Sequence, residues 1–263
     1  MANPNPFDQQ KPIPNVKHVI AISSGKGGVG KSTVTSHLAL ALAQKGAKVG
    51  LLDADIYGPS IPRIFGILNQ TPPVNSSNKL EPIERYNVKI MSMGLLVEDN
   101  QALIWRGPML FKALEQLLRD VNWGELDYLL VDLPPGTGDV QLTLCQKIPM
   151  SAAITVTTPQ NIALIDVTRS IDMFKKLNVP MFGLIENMSY FLAPSGERMS
   201  LFPKGELDKY IKENEIPKLA EIPFTQNTAM GCEIGIPIVQ SKPDSLEGNI
   251  FGELAEKILR KFV

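Results

Sequence analysis

Residues 19–33 read VIAISSGKGGVGKST, and the fold turns on this stretch. Val19 to Ile22 form a short, continuous apolar run, as a buried strand does. Gly25-Lys26-Gly27-Gly28-Val29-Gly30-Lys31-Ser32 follows and fits the phosphate-loop spacing G-x-x-x-x-G-K-[ST]. Each residue type has a physical task there. Four glycines and a small valine let the backbone wrap an anion closely, with successive N–H groups turned inward. Lys31 carries a cation towards the β- and γ-phosphates of a nucleotide, and the Ser32 hydroxyl suits a Mg2+ shell. Val34, Leu38 and Leu42 then recur every four residues, so a helix starts here. Its N-terminus adds partial positive charge at the anion. With a strand before and a helix after, residues Gly25 to Thr33 are predicted to hold the phosphates of ATP.

Working outward, Gly46 ends that helix and Ala47 to Leu52 read as a second strand. Asp53 and Asp55 stand at its carboxyl edge, where open α/β sheets bind ligands. Asp55 is predicted to orient or deprotonate the attacking water, while Asp53 reads equally well as a turn cap. Residues 69–87, rich in Pro, Asn and Ser, read as a surface excursion, and Val88 to Met93 as a strand. Trp105-Arg106-Gly107-Pro108 opens a helix running through Leu118; Arg106 suits a phosphate, a partner subunit or a salt bridge. Tyr128 to Asp132 is an apolar strand ending in an acid, so Asp132 is placed to hold Mg2+ beside Ser32.

Leu133-Pro134-Pro135-Gly136-Thr137-Gly138-Asp139 is a stiff turn between permissive hinges, suited to move when the γ-phosphate leaves. Asp139 opens a helix, either as its N-cap or as a nucleotide contact. Strands at Ala152–Thr158 and Pro180–Glu186 flank a helix at Ile162–Leu177. Asn187 ends the last of these strands with an amide that matches the donor–acceptor edge of adenine, although a turn asparagine fits as well. Ser189 to Gly205 is a loop or small hairpin. Ile222 and Pro223 close a further short strand and lie against the base. Leu246, Ile250, Leu254, Ile258 and Phe262 mark a final helix docked on the sheet. The alternation of strand and helix predicts one doubly wound α/β domain, a mostly parallel sheet with helices on both faces, over residues 18–263. Residues 1–17, with four prolines, read as a flexible tail.

Bulk composition narrows the class. The 263 residues carry 26 Lys and Arg against 27 Asp and Glu, a net charge of −1, so no global basic field draws the chain to nucleic acid or anionic lipid. The sequence shows neither an apolar run long enough for a membrane span nor a charged-then-apolar leader. Two cysteines, Cys145 and Cys232, make no disulfide framework, and together with the phosphate loop they point to the cytoplasm.

Lys26, inside the loop, narrows the class further. The run K-G-G-V-G-K-[ST] resembles the deviant phosphate loop of the nitrogenase iron protein, MinD, ParA and Mrp; the resemblance implies that Lys26 reaches across a homodimer to the partner's nucleotide. SSGKGGVGKS (23–32), DADIYGPS (53–60), WRGPM (105–109), VDLPPGTGD (131–139), VTTPQ (156–160) and IENMSY (185–190) occur in this order. Together they look like the Mrp/ApbC family of ATP-dependent iron–sulfur cluster carriers, from about Val16 to Asp244. That resemblance implies a homodimeric Mg-ATPase that deals with iron–sulfur scaffold or client apoproteins. One departure stands out. Many members present a C-P-x-C pair after N-M-S-Y-F, whereas this chain has Leu192-Ala193-Pro194-Ser195-Gly196. A 4Fe–4S cluster usually takes four thiolates, and a serine hydroxyl is a poor replacement. The ATPase carries over residue by residue and the cluster site does not. A ParA- or MinD-like positioning ATPase, or a regulatory ATPase without a cluster, is the competing expectation.

Overall fold

The computed structural model describes residues 10–56, 58–96, 107–193, 195–203 and 205–262. In chain order its elements are β1 (Val16–Ser24), α1 (Lys31–Gln44), β2 (Val49–Asp53), α2 (Ile61–Ile64), β3 (Ile83–Arg85), β4 (Val88–Ser92), α3 (Gly107–Arg119), β5 (Leu126–Asp132), α4 (Asp139–Lys147), β6 (Ala152–Thr157), α5 (Asn161–Lys176), β7 (Met181–Glu186), β8 (Phe191–Leu192), β9 (Arg198–Met199), α6 (Leu207–Glu213), β10 (Lys218–Glu221), α7 (Gln226–Glu233), α8 (Ile238–Ser241) and α9 (Leu246–Lys261).

The apolar run that precedes the phosphate loop becomes a central strand. Eight strands lie in the order β10-β7-β6-β1-β5-β2-β4-β3, all parallel to their neighbours except β3, which pairs antiparallel with β4. Successive side chains of a strand face opposite sides of the sheet. Accordingly Ile20 and Ile22 join one core, with Leu38, Leu51, Leu130 and Phe251, while Val19 and Ala21 join the other, with Leu117, Trp123, Leu129 and Phe174. Two separate cores on the two faces are what a doubly wound sheet requires. The predicted α/β class is therefore observed.

Several boundaries differ from the expectation for physical reasons. β1 begins at Val16, inside the stretch expected as a tail, because Ile13 is buried ahead of it. Lys11 N donates to Lys147 O (3.0 Å), and the Arg119 guanidinium donates to the carbonyls of Lys11, Pro12 and Lys147. The last helix does dock, packing against α1 and β10. Its buried stripe is Phe251, Leu254, Ala255 and Ile258, and Leu246 is exposed. A straight row four residues apart drifts round a helix of 3.6 residues per turn, so its end leaves the packed face. Gly46 adopts φ 87° just past the Lys45 cap of α1, a left-handed turn that glycine tolerates. Ser189 to Gly205 contains the β8–β9 hairpin. Arg106 lies outside the described residues. Among the described residues no helix is long and apolar enough to cross a membrane.

Candidate nucleotide-binding site

Parallel register aligns the polar strand ends. Ile22, Asp132, Asp53 and Ser92 are successive register partners across β1, β5, β2 and β4, so the two carboxylates lie side by side at the carboxyl edge. Asp132 is fully buried and gathers the phosphate loop. Its Oδ2 accepts from Lys31 Nζ (2.7 Å) and Ser32 Oγ (2.5 Å), and its Oδ1 from Thr35 Oγ1 (2.7 Å). Lys31, 6% exposed, forms a buried ion pair there. Asp53 accepts from Asp55 N (3.2 Å), Ile61 N (3.3 Å) and Ser92 Oγ (3.0 Å). Burial, and then the neighbouring Asp132 charge, push the Asp53 carboxyl up to about 8, against the opposing pull of Lys31. Asp53 thus braces the segment that follows β2, while Asp55 reaches the cavity.

That cavity measures about 250 Å3 and is lined by Gly27, Gly28, Lys31, Ser32, Asp55 and Pro135 among others. Gly28 has φ 80°, which favours glycine. Gly27 has no such backbone demand, and a Cβ there would meet nothing within 4 Å. Its missing side chain leaves open room on the cavity wall, as a phosphate cradle needs. A hydroxyl and a carboxylate are hard oxygen donors, so Ser32 and Asp132 fit Mg2+.

A second cavity of about 250 Å3 shares Gly30 and Thr33 with the first and is further lined by Asn187, Pro223, Phe224 and Cys232. Asn187 is placed by the end of β7: its N donates to Thr157 O (2.7 Å), and its Nδ2 donates to Val29 O (2.8 Å) in the phosphate loop. Gly30 has φ 81°, and a Cβ on it would collide with Asn187 Nδ2, so glycine is demanded twice.

Other predicted residues fall elsewhere. Val29 is buried and contributes its carbonyl, and Gly25 packs against the backbone of Asp166 on α5. Lys26 lines neither cavity; its Nζ lies 3.4 Å from Gln160 Oε1. Asp139 is exposed at the first position of α4, whose cap is Gly138, and lines neither cavity. Ile222 is buried in the core while Pro223 faces the second cavity, because neighbours along extended chain point to opposite sides. Cys232 is part of α7, and burial pushes its thiol up to about 11 against a hydrogen bond with Thr33. Cys145, fully buried in α4, is pushed up to about 12 by burial.

Sequence reasoning missed Thr35, Ser92 and the whole of α7. It also missed His37, buried in α1, which holds Thr33 O through Nδ1 (2.7 Å) and accepts from Ile238 N at Nε2 (3.3 Å). Burial lowers this imidazole to about 4, partly opposed by the Thr33 hydrogen bond, so it is neutral and its proton is on Nδ1.

Known proteins resemble this chain over most of its length. An iron-sulfur cluster carrier protein of Aquifex aeolicus is 46% identical over 260 residues, covering 98% of this chain and 71% of that protein. The iron-sulfur cluster transfer protein NUBPL of Mus musculus is 44% identical over 256 residues, covering 96% and 80%. Among solved structures, a nucleotide-binding protein from Archaeoglobus fulgidus in complex with ADP superposes with a TM-score of 0.75 at 38% identity, covering 88% of this chain and 91% of that one. The septum site-determining protein MinD of Pyrococcus horikoshii, complexed with Mg-ADP, gives 0.66 at 26% identity over 92% and 96%. The ParA family model, described as NUBPL iron-transfer P-loop NTPase, matches residues 15–259, and the chain belongs to that family.

Proposed function

We propose that this chain is a Mg2+-dependent ATPase that acts as a nucleotide-gated carrier in iron–sulfur assembly. The observation that carries the reading is the pair of cavities with a common wall at Gly30 and Thr33. One offers loop backbone and Lys31 to phosphates, and the other offers Asn187 to a base. Val29 O engages one N–H of Asn187 Nδ2, which leaves the second N–H and the Oδ1 acceptor for the base. That donor–acceptor pair matches the N6/N7 edge of adenine. Lys31 and the loop N–H groups hold phosphate, and Ser32 and Asp132 supply the oxygens for Mg2+. Bound there, Mg2+ offsets phosphate charge. Asp55 orients the attacking water. Lys26, which lines neither cavity of its own chain, serves the nucleotide of a second copy in a homodimer.

The iron–sulfur cargo is a substrate of this chain and not a resident cofactor. The hairpin where relatives of the resembled family present two cysteines holds Ala193 and Ser195. One thiol of this chain is buried in α4, and the other sits in the base cavity. A client or scaffold protein therefore supplies the thiolates, and this chain alone retains no stable cubane. Two measurements test the reading. Purified protein is expected to turn over ATP, and Lys31→Ala to lose at least about 100-fold of that rate; equal rates overturn the assignment. After anaerobic reconstitution with iron and sulfide, about four irons per dimer surviving gel filtration, the content of one cubane, would overturn the statement about thiolates.

A further inference from the structure

The turn between Asp132 and α4 puts Pro135 into the wall of the phosphate cavity, which it shares with Asp55. Its two ends are tied to β1 by backbone: Leu133 N donates to Ile22 O (3.0 Å) and Gly136 N to Ser24 O (2.9 Å). Between these ties stand Pro134 and Pro135, which have no N–H to donate. That part of the turn can be held only through its carbonyls. Pro134 O accepts from the side-chain Nε2 of Gln141.

Gln141 is the third residue of α4 and is 1% exposed. A glutamine at that position commonly folds back onto the cap residue of its own helix. This one leaves the helix and crosses to the turn, and its Oε1 takes no hydrogen bond from the Gly138 cap. Its Oε1 is buried without a partner among the described residues. A glutamine that only fills a core has both ends of its amide matched. Here a single end is used, and it holds the two-proline part of the turn, which has no N–H of its own.

We infer that Gln141 is a positioning residue for ATP hydrolysis: its amide N–H fixes the Pro134 carbonyl and, through it, the Pro135 wall opposite the attacking water. The inference rests on the ATPase reading above. It concerns the geometry of attack and not the affinity of the cradle, which is built from other residues.

The test compares wild type, Gln141→Leu and Gln141→Glu in the full chain. Leucine keeps most of the volume and has no donor. Glutamate is nearly isosteric and donates to Pro134 O only when protonated. ATP turnover is followed from about pH 5.5 to 8.5, with affinity for a fluorescent ADP analogue and Tm measured alongside. For Gln141→Leu, kcat is expected to fall about tenfold with KM and analogue affinity unchanged. For Gln141→Glu, the rate relative to wild type is expected to rise as pH falls, while the leucine ratio stays flat. A leucine variant within about twofold of wild type overturns the inference. So does a loss of kcat that runs in parallel with analogue affinity and Tm, or a flat profile for Gln141→Glu. Absence of turnover in wild type refutes the ATPase reading and this inference with it. Active wild type, inactive Lys31→Ala and unaffected Gln141 variants refute the inference alone.

Discussion

Asp132 is tied across elements: Lys31, Ser32 and Thr35 bond to it from the first turns of α1, and Asp53 lies beside it on the neighbouring strand. Around Ala193 and Ser195 the bonds are local. β8 and β9 pair over two residues each, Ala193 N donates to Glu197 O (2.9 Å), and Gly196 N donates to Ala193 O (2.8 Å). Among the described residues, the hairpin's backbone bonds to the second cavity's wall lie at its stem, where Phe224 N donates to Tyr190 O (2.8 Å) beside a bridge between Phe191 and Phe224. Buried charges need partners from distant chain, because an unmatched one is expensive; an exposed turn is satisfied by itself and by water. Change at the first region therefore propagates, whereas change at the hairpin tip stays where it is made. On this account a chain can lose a thiolate pair at the tip and keep its nucleotide site whole.

The largest effects should come from separating the acids of the first region. Asp132→Asn leaves Lys31 buried beside a neutral amide, with an expected loss of about 3 kcal/mol in stability. Nucleotide binding that depends on Mg2+ should weaken at least about tenfold. On the role proposed for that carboxylate at the attacking water, Asp55→Asn should bind Mg-ATP normally and hydrolyse it about 100-fold more slowly. Calorimetric titration with a non-hydrolysable analogue, run beside turnover, separates the two. Equal loss of binding in both variants would show that the roles have been misassigned.

His37 offers a smaller test of the same idea, because it ties the loop helix to α8. Its folded value of about 4 lies below the ordinary 6.5. Between those values the unfolded chain binds a proton that the folded chain does not, so the stability contributed by this group is complete above about pH 6.5 and is lost as pH falls towards 4. From pH 7 to pH 5 that amounts to about 2 kcal/mol. Denaturant unfolding of wild type should show this loss, and His37→Leu, less stable at pH 7, should show a flatter dependence. Identical pH slopes would remove His37 from the set of buried ties.

What the sequence revealed follows the same division. The loop, the Lys31–Ser32 pair and the terminal acid of β5 are short-range patterns, and spacing alone exposed them. Asp53 does cap the turn after β2, through Asp55 N and Ile61 N, while its place beside Asp132 is set by strand register across 79 positions of chain and no local pattern carries it. Ile222 was assigned to the base through proximity to Pro223, yet strand alternation sends the two apart. Asp139 opens α4 but faces solvent. The helix α7 escaped because QNTAMGCE has no apolar period; its one local signal is Thr225, which caps Thr228 N. That helix carries Cys232 into the second cavity.

The smallest effect is expected at the hairpin tip, and it is the sharpest test of the contrast. Ser195 is exposed, and its hydroxyl is 3.5 Å from Glu197 N, at the limit of a hydrogen bond. Removing it should change stability by less than about 0.5 kcal/mol, and ATP turnover of Ser195→Ala should stay within about twofold of wild type. Phe224, on the stem, differs in kind. Its side chain lines the base cavity and its N–H holds Tyr190 O. Phe224→Ala keeps the N–H and removes the ring, so nucleotide affinity should fall several-fold, by about 1 kcal/mol for lost apolar contact, while the hairpin stays paired. Turnover and analogue affinity, measured for both variants in one buffer, give the comparison directly. A change in turnover beyond about fivefold in Ser195→Ala would mean that the tip communicates with the nucleotide site. The local bonding described above would then be an incomplete account of how the hairpin is held.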